Sequence, residues 1–426
     1  MVGVLAFAIY AVSIVDTADS HANQLRSSPP PDSELETSPD RVVVWFSEEI
    51  EASLSEVRVI DANAKQVDNG DSAISPTQPT ALIVTLPTLE NGTYTVVWKN
   101  LSTVDGHRVV GSFRFAVGEP LSASPDVAVE SQPLVQSPFD PWLRWLFFIG
   151  VLTLVGTLLF DLLVVMPTLD SQESSAVAER WFAAVQPILS RTIIGATVLA
   201  LLSLVALLLQ QAAVTFQVSI FAVFGEPLSG VVSSAWGRLW LWRFAAVVLT
   251  GLLVLLAKKA TSTSDEQMPE DTETAGQAED SEFTEDEEPY TPALTDSLFG
   301  GLAVIAGLGV LLLTSLSSHS AASPAGVRIP AIVTDFIHLL AASAWVGGLF
   351  LITTISVVML RRRGTGFSTG NLLPLLSRFS PIAFVSAGTL VITGIVSGYL
   401  QVTIPAATAT PYGWTLVTKL ALIVPL

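Results

Sequence analysis

The chain has 426 residues, is half apolar and only 14% charged, against about 25% in soluble domains. That composition points to membrane insertion rather than to two or three soluble domains. It has no cysteine, which removes disulfides and thiolate metal sites. The net charge of −18 is concentrated, because thirteen acids and no base lie between Asp265 and Asp296. No stretch is basic enough for a nucleic-acid footprint.

Residues 1–15 are almost wholly apolar and run into Asp16-Thr17-Ala18-Asp19-Ser20-His21. Ala18 and Ser20 are small residues placed for cleavage after Ser20, so 1–20 reads as a secretory signal. An uncleaved anchor helix is the alternative. The usual basic start is missing, as is expected where the true start lies upstream of Met1. Cleavage would make His21 the first residue of the mature chain.

Residues 21–118 read as antiparallel β. Strand-like runs are Arg41-Val42-Val43-Val44-Trp45-Phe46, Ser55 to Ile60, Ala81 to Leu86, Thr93 to Trp98 and Val109 to Val117. Asn91-Gly92 is a turn signal, and Pro29-Pro30-Pro31 with Pro39 punctuate the early loop. Short strands at this spacing predict a small sandwich. A domain of about a hundred residues can bury a sufficient core without disulfides.

Residues 119–140 are a Ser/Pro-rich linker. A spanning helix needs about 20 apolar residues, which places spans near 141–166, 192–213, 239–258, 297–316, 330–359 and 380–402. The first three fill 141–260. The acidic block 261–296 is a solvated, disordered loop. The rest, 297–426, holds spans four to seven. The seventh begins at Trp414 and is still apolar at Leu426, as a truncated last helix would be. The expected fold is therefore mixed and multi-domain. It has an N-terminal all-β, Ig-like sandwich, then an all-α polytopic transmembrane helix bundle.

Basic residues set the orientation. Lys258-Lys259 ends span three and Arg361-Arg362-Arg363 ends span five. Both fall on the same side, which is then the cytoplasm, and the sandwich is extracytoplasmic. Trp236, Trp240 and Trp242 stand at the outer end of span three as an interfacial belt would.

Several stretches together resemble a known family. Ser20-His21-Ala22, Ser27-Ser28-Pro29-Pro30, Phe46-Ser47-Glu48, Gly92-Thr93-Tyr94-Thr95-Val96 and Asp105-Gly106-His107 are similar to the CopC copper-binding domain. Spans five to seven resemble its membrane partner CopD. The carrying residues are His338 to Leu349, Ser377-Arg378-Phe379-Ser380, Thr393-Gly394, and Pro411-Tyr412-Gly413 with Lys419. Fused CopC–CopD chains have this order. The resemblance implies a Cu(II)-binding sandwich and a polytopic protein of copper uptake or resistance in a bacterial cytoplasmic membrane. Copper chaperones of the periplasm or cell exterior are the implied partners, beside copper and the lipid bilayer. The only methionines are Met1, Met166, Met268 and Met359. The Met-rich loop that serves Cu(I) in some CopC proteins is thus missing, which argues for a Cu(II)-only site in the soluble domain.

Only four histidines occur, His21, His107, His319 and His338, and on this topology all lie outside or in the outer leaflet. Asp105 and His107 are two apart, so an extended strand points both to one face. Gly106 between them permits a tight backbone. Imidazole nitrogen with carboxylate oxygen suits Cu(II) in tetragonal geometry. A cleaved His21 adds its amine and its ring nitrogen, completing four ligands. The plain alternative is an Asp-Gly turn that precedes a histidine.

His338 lies eight residues beyond Pro330, roughly 12 Å into the span. Asp335 and Trp345 share its face. Ionisable groups at that depth usually face a cavity, so Asp335, His338 and the loop residue His319 are the candidate membrane copper path, where Cu(I) is an alternative cargo. The competing readings are a packing histidine at 338 and a solvated one at 319. Trp345-Val346-Gly347-Gly348 is a close-packing segment. Asp161 and Arg144 snorkel to opposite interfaces, and Glu48, Glu49 and Glu51 form a solvated strand face. No ATP-binding motif occurs, so any transport is not ATP-driven within this chain. The leading expectation is a non-enzymatic protein that captures Cu(II) outside and passes copper to or across the membrane. A membrane-anchored copper sensor or buffer is the alternative, and a copper monooxygenase the more remote one.

Overall fold

The computed structural model describes residues 22–104, 106, 108–122, 139–170, 176–266, 293–323, 326–361 and 372–401. The expected signal, His21, Asp105, His107, most of the linker, most of the acidic loop and the seventh span lie outside them.

Eight strands build the sandwich. They are β1 Gln24–Ser28, β2 Ser33–Leu35, β3 Arg41–Phe46, β4 Glu56–Ile60, β5 Ala73–Ser75, β6 Gln78–Thr85, β7 Gly92–Leu101 and β8 Arg108–Val117. One sheet runs β1-β3-β6-β5 and the other β2-β8-β7-β4. All pairings are antiparallel except β2 with β8. The five expected strands are present. β1, β2 and β5 were not expected, being short and set among prolines and polar residues.

Alternation explains which faces meet. Val57 and Val59 point inward from β4 while Glu56 and Arg58 point out. They pack with Val42, Val44, Phe46, Leu82, Val84, Val96 and Phe115 in one core. Phe46 meets Trp98 edge-on, with ring centroids 5.0 Å apart. The Trp98 indole N–H donates to Gln24 Oε1 (3.0 Å) and the Tyr94 hydroxyl to the Glu90 carbonyl (2.9 Å). Both large aromatics therefore bury their rings without orphaning a polar atom.

Among the described residues six helices are long and apolar enough to cross a membrane: Asp140–Thr168, Ala184–Phe216, Ala235–Ala260, Leu298–Ser315, Arg328–Arg361 and Leu373–Leu400, here spans 1 to 6. They coincide with the six expected ones. The helix that carries span 3 runs on to Glu266, into the stretch expected to be loop. At the other end of that stretch, Leu294 and Thr295 are buried in a 3-10 turn.

Contacts fix which ends lie together. Gln210 Nε2, near the end of span 2, donates to Asp140 Oδ1 at the start of span 1 (2.9 Å). The sandwich meets this same end. At the far end Asp161 Oδ2 accepts from both Thr295 N and Thr295 Oγ1, each at 2.9 Å. Span 4 therefore runs back toward the sandwich, and residues 316–323 with the start of span 5 lie on the sandwich side.

Asp161 is 0% exposed, which corrects the snorkelling expectation. Thr295, 134 positions later, supplies two donors that water would otherwise provide. Arg144 does reach the surface and pairs with Asp140 at 2.6 Å. The tryptophan belt is corrected in part. Only Trp242 is exposed, at 68%, whereas Trp240 donates to the Leu204 carbonyl (2.9 Å) and stacks on Phe244.

Two π turns interrupt the spans, Asp161–Val165 in span 1 and Ser343–Gly347 in span 5. The spans cross at Gly156 and Gly347, where a Cβ on Gly156 would stand 2.8 Å from Gly347 Cα. The expected close-packing role of Gly347 is thereby met. Trp345 lies inside the π turn, so the seven-residue spacing from His338 no longer defines one helical face.

Candidate metal centre at the sandwich edge and in the bundle

Residues adjacent to the three candidate ligands of the sandwich converge on one edge. Ala22, next to His21, is buried, and its carbonyl accepts from Asn100 Nδ2 at 2.8 Å. Asn100 sits near the end of β7, where it pairs with Val109, and Leu101 pairs with Arg108. The connection between those strands carries Gly106, the residue between Asp105 and His107. Asn23 N donates to Ser47 Oγ (3.1 Å), and Ser47 N donates back to the Asn23 carbonyl (3.0 Å). The chain leaving position 21 is thus pinned beside the loop that holds positions 105 and 107.

That loop stands on the membrane helices. Gly106 has φ +71, a conformation open to glycine and costly for other residues. Its carbonyl accepts from Gln211 Nε2 at 2.6 Å, near the end of span 2. A Cβ at Gly106 would stand 2.8 Å from Trp236 Cδ1 at the start of span 3. Trp236 is 8% exposed and belongs to the buried core of the bundle, with Gly106 set against its ring. Arg108 Nη1 donates to the Thr215 carbonyl (3.3 Å), and burial pulls its guanidinium below the usual value. Glu51 Oε2 accepts from Ala235 N at 2.8 Å. An anionic side chain at a helix N-terminus satisfies an orphan donor and complements the dipole.

The three glutamates expected on a solvated face have different fates. Glu48 is 3% exposed, and its Oε2 accepts from Ser102 Oγ at 2.7 Å. Ser102 Oγ in turn accepts from Val104 N at 3.2 Å. Glu48 thus braces the approach to the candidate loop from inside the sandwich, and Glu51 joins the sandwich to span 3. Of this bracing set, only the Phe46-Ser47-Glu48 stretch carried a signal in the sequence. Asn100 and Gln211 gave none, and Trp236 was read only as part of an interfacial belt.

In the bundle, Asp335 and His338 are one helical turn apart on span 5. Asp335 Oδ2 lies 3.1 Å from Ser318 Oγ, which also lies 2.8 Å from the Ser315 carbonyl. His338 Nδ1 lies 2.8 Å from Thr393 Oγ1 on span 6. All of these groups occupy the sandwich half of the bundle. Among the described residues, however, no three His, Asp or Glu side chains converge as metal ligands would. His338, Asp335 and His319 share a region, not a ready-made ligand cage. Arg243 on span 3 is half-buried and lies over the Phe147 ring of span 1 at 5.7 Å.

Residues 25–118 match the CopC domain, 136–265 the N-terminal domain of copper resistance protein D-like proteins, and 373–426 copper resistance protein D. The copper transport protein CutJ of Bacillus subtilis (strain 168) is 24% identical over 432 residues, covering 98% of this chain and 68% of that one. Protein YobA of Escherichia coli (strain K12) is 29% identical over 114 residues, 26% of this chain and 91% of its own. Among solved structures, CopC from Methylosinus trichosporium OB3b is 30% identical with a TM-score of 0.22, covering 24% of this chain and all of that one. PcoC of Escherichia coli, a methionine-rich copper resistance protein, is 24% identical with a TM-score of 0.20, over 23% of this chain and 98% of its own. A β-sandwich followed by six membrane-length helices, with these matches in this order, makes the protein a multi-pass membrane protein of copper handling. Along one chain, in order, stand matches to the CopC domain and to two domains of copper resistance protein D, and that succession is the one expected of a fused CopC–CopD protein.

Proposed function

We propose that this protein captures Cu(II) on the extracytoplasmic face of a bacterial cytoplasmic membrane and passes copper to the helices beneath, in copper import, homeostasis or resistance. The observation that carries this reading is the seat of Gly106. The residue between Asp105 and His107 is hydrogen-bonded to span 2 and packed on span 3. Cargo held at that loop is already at the mouth of the bundle.

The capture site is made by His21, Asp105 and His107. His21 contributes its amine as well as its ring once the signal is cleaved after Ser20. Two imidazoles, an amine and a carboxylate are the nitrogen and oxygen donors that Cu(II) prefers in tetragonal geometry. His319, Asp335 and His338 form the receiving region, and transfer there as Cu(I) would need a one-electron reductant from outside this chain. The sandwich faces outward because Lys258, Lys259 and Arg361 lie at the opposite ends of spans 3 and 5. The role is that of a carrier, not of an enzyme, and the resemblance to the copper transport protein CutJ supports it. Copper chaperones outside the membrane are the expected donors.

The test is copper accumulation in cells carrying the full chain, His107→Ala or His338→Ala at matched protein levels. Loss of accumulation in both variants is expected. Unchanged accumulation in His338→Ala removes the membrane path. Copper binding without flux in proteoliposomes favours a sensor or buffer instead. Mass spectrometry of the mature N-terminus tests the His21 amine.

A further inference from the structure

We propose that Thr393 sets the tautomer of His338, so that Nδ1 carries the ring proton and Nε2 carries the lone pair that a metal ion would use. The proposal rests on the reading that His338 receives copper, and it names the atom of that site that does so.

The argument is one of hydrogen-bond polarity. Thr393 Oγ1 lies 2.6 Å from the carbonyl of Thr389, one turn earlier in span 6, and 3.4 Å from that of Leu390. A carbonyl oxygen can only accept, so the single proton of the Thr393 hydroxyl is committed to Thr389 O. His338 Nδ1 lies 2.8 Å from the same Oγ1. With its proton spent, that oxygen can only accept from the ring. Nδ1 must therefore be the protonated nitrogen. In a neutral imidazole the other nitrogen is then the base.

This is the tautomer that free histidine disfavours in water, so something must hold it. Metal-ligating histidines commonly donate the N–H of the non-ligating nitrogen to a fixed acceptor, which orients the ring and raises the basicity of the other nitrogen. Thr393 fills that role from a neighbouring span. Gly394, the next residue, lies beside the ring, where a Cβ would make ordinary contact with His338 Cε1 at 4.0 Å. Thr393 is thus a positioning residue for one imidazole.

The tautomer can be read without copper. The full chain is labelled with 15N-histidine, and spectra are taken at a pH where the rings are neutral. The His338 signals are identified by their loss in His338→Gln. The expected result is a protonated Nδ1 and an unprotonated Nε2 in the full chain. Thr393→Val keeps the shape but removes the acceptor, and is expected to shift the majority of the population to Nε2–H. Thr393→Ser is expected to retain the original tautomer. A majority of Nε2–H in the unsubstituted chain overturns the proposal, whatever the variants do. An unchanged tautomer in a folded Thr393→Val overturns it as well. The copper-path reading stands or falls separately, on copper accumulation in His338→Ala.

Discussion

Gly106 and Trp236 meet across the junction between sandwich and bundle, with the bare Cα of one set against the indole of the other. The positive φ and the contact act together. A Cβ in Gly106→Ala must enter a left-handed conformation that costs about 1–2 kcal/mol, and it must also displace the ring. The indole should then leave its buried position. The emission of Trp236, obtained as the difference between chains with and without Trp236→Phe, should shift to the red in Gly106→Ala. An unshifted spectrum would mean that the sandwich does not rest on this residue.

Asn100 holds Ala22 against the loop edge through one bond to its carbonyl. A net hydrogen bond is worth about 1 kcal/mol, and 1.4 kcal/mol is roughly tenfold in affinity. On the proposed capture site, Asn100→Leu should weaken Cu(II) binding by about five- to tenfold while the sandwich stays folded. Competition titration with a chelator reads the affinity. Equal affinity in a folded variant would detach His21 from the site.

Asp161 and Thr295 join span 1 to the turn that precedes span 4. Asp161→Ala strips the acceptor from two buried donors, at a cost of about 1–3 kcal/mol. Thr295→Val removes only the hydroxyl donor and should cost less. Thermal unfolding in detergent should rank the chains as unsubstituted, then Thr295→Val, then Asp161→Ala. A reversed order of the two variants would show that the backbone bond from Thr295 N carries little.

Glu56 gives the sandwich a pH dependence. Burial pushes its carboxyl up, but hydrogen bonds from Arg58 and Lys99 outweigh this and hold it below the ordinary 4.5. A group lowered by folding stabilises the folded state above its unfolded pKa, and loses that contribution as pH falls through the folded value. The Glu56 contribution should therefore be present at neutral pH and fade below about pH 4.5. The pairs are partly exposed, so the effect is about 0.2–1 kcal/mol. Urea unfolding at pH 7 and pH 3.5 should show a smaller difference for Glu56→Gln than for the unsubstituted chain.

The sandwich was legible where side chains alternate. Val57 and Val59 between Glu56, Arg58 and Ile60 declare a strand with one buried face. β2, three residues long after a proline run, has too little pattern to declare anything. The six spans were legible because apolar length is a local property. Asp105-Gly106-His107 stood out as a motif, yet its partners Gln211 and Trp236 lie more than a hundred positions away, where spacing carries no information. Glu48, Glu49 and Glu51 look alike in sequence. Their fates are set by Ser102 for Glu48 and by Ala235 for Glu51. For Asp161 the sequence showed a carboxylate near a membrane surface. Thr295 decides that it turns inward.

The π turn of span 5 bears on how far that helix tolerates a change in length. A surplus residue puts the two halves of a helix out of phase by roughly 100°. The half before the turn, Arg328–Ala342, presents His338 to Thr393. The turn and the half after it set Gly347 against Gly156 and Gly348 against the Phe379 ring. Deleting one residue between Ser343 and Gly347 would rewind the turn, and the helix could then keep the His338 pairing or the two glycine pairings but not all three. The His338–Thr393 contact and the glycine contacts are held in common phase by a residue count, so a single deletion well away from His338 would set one against the other.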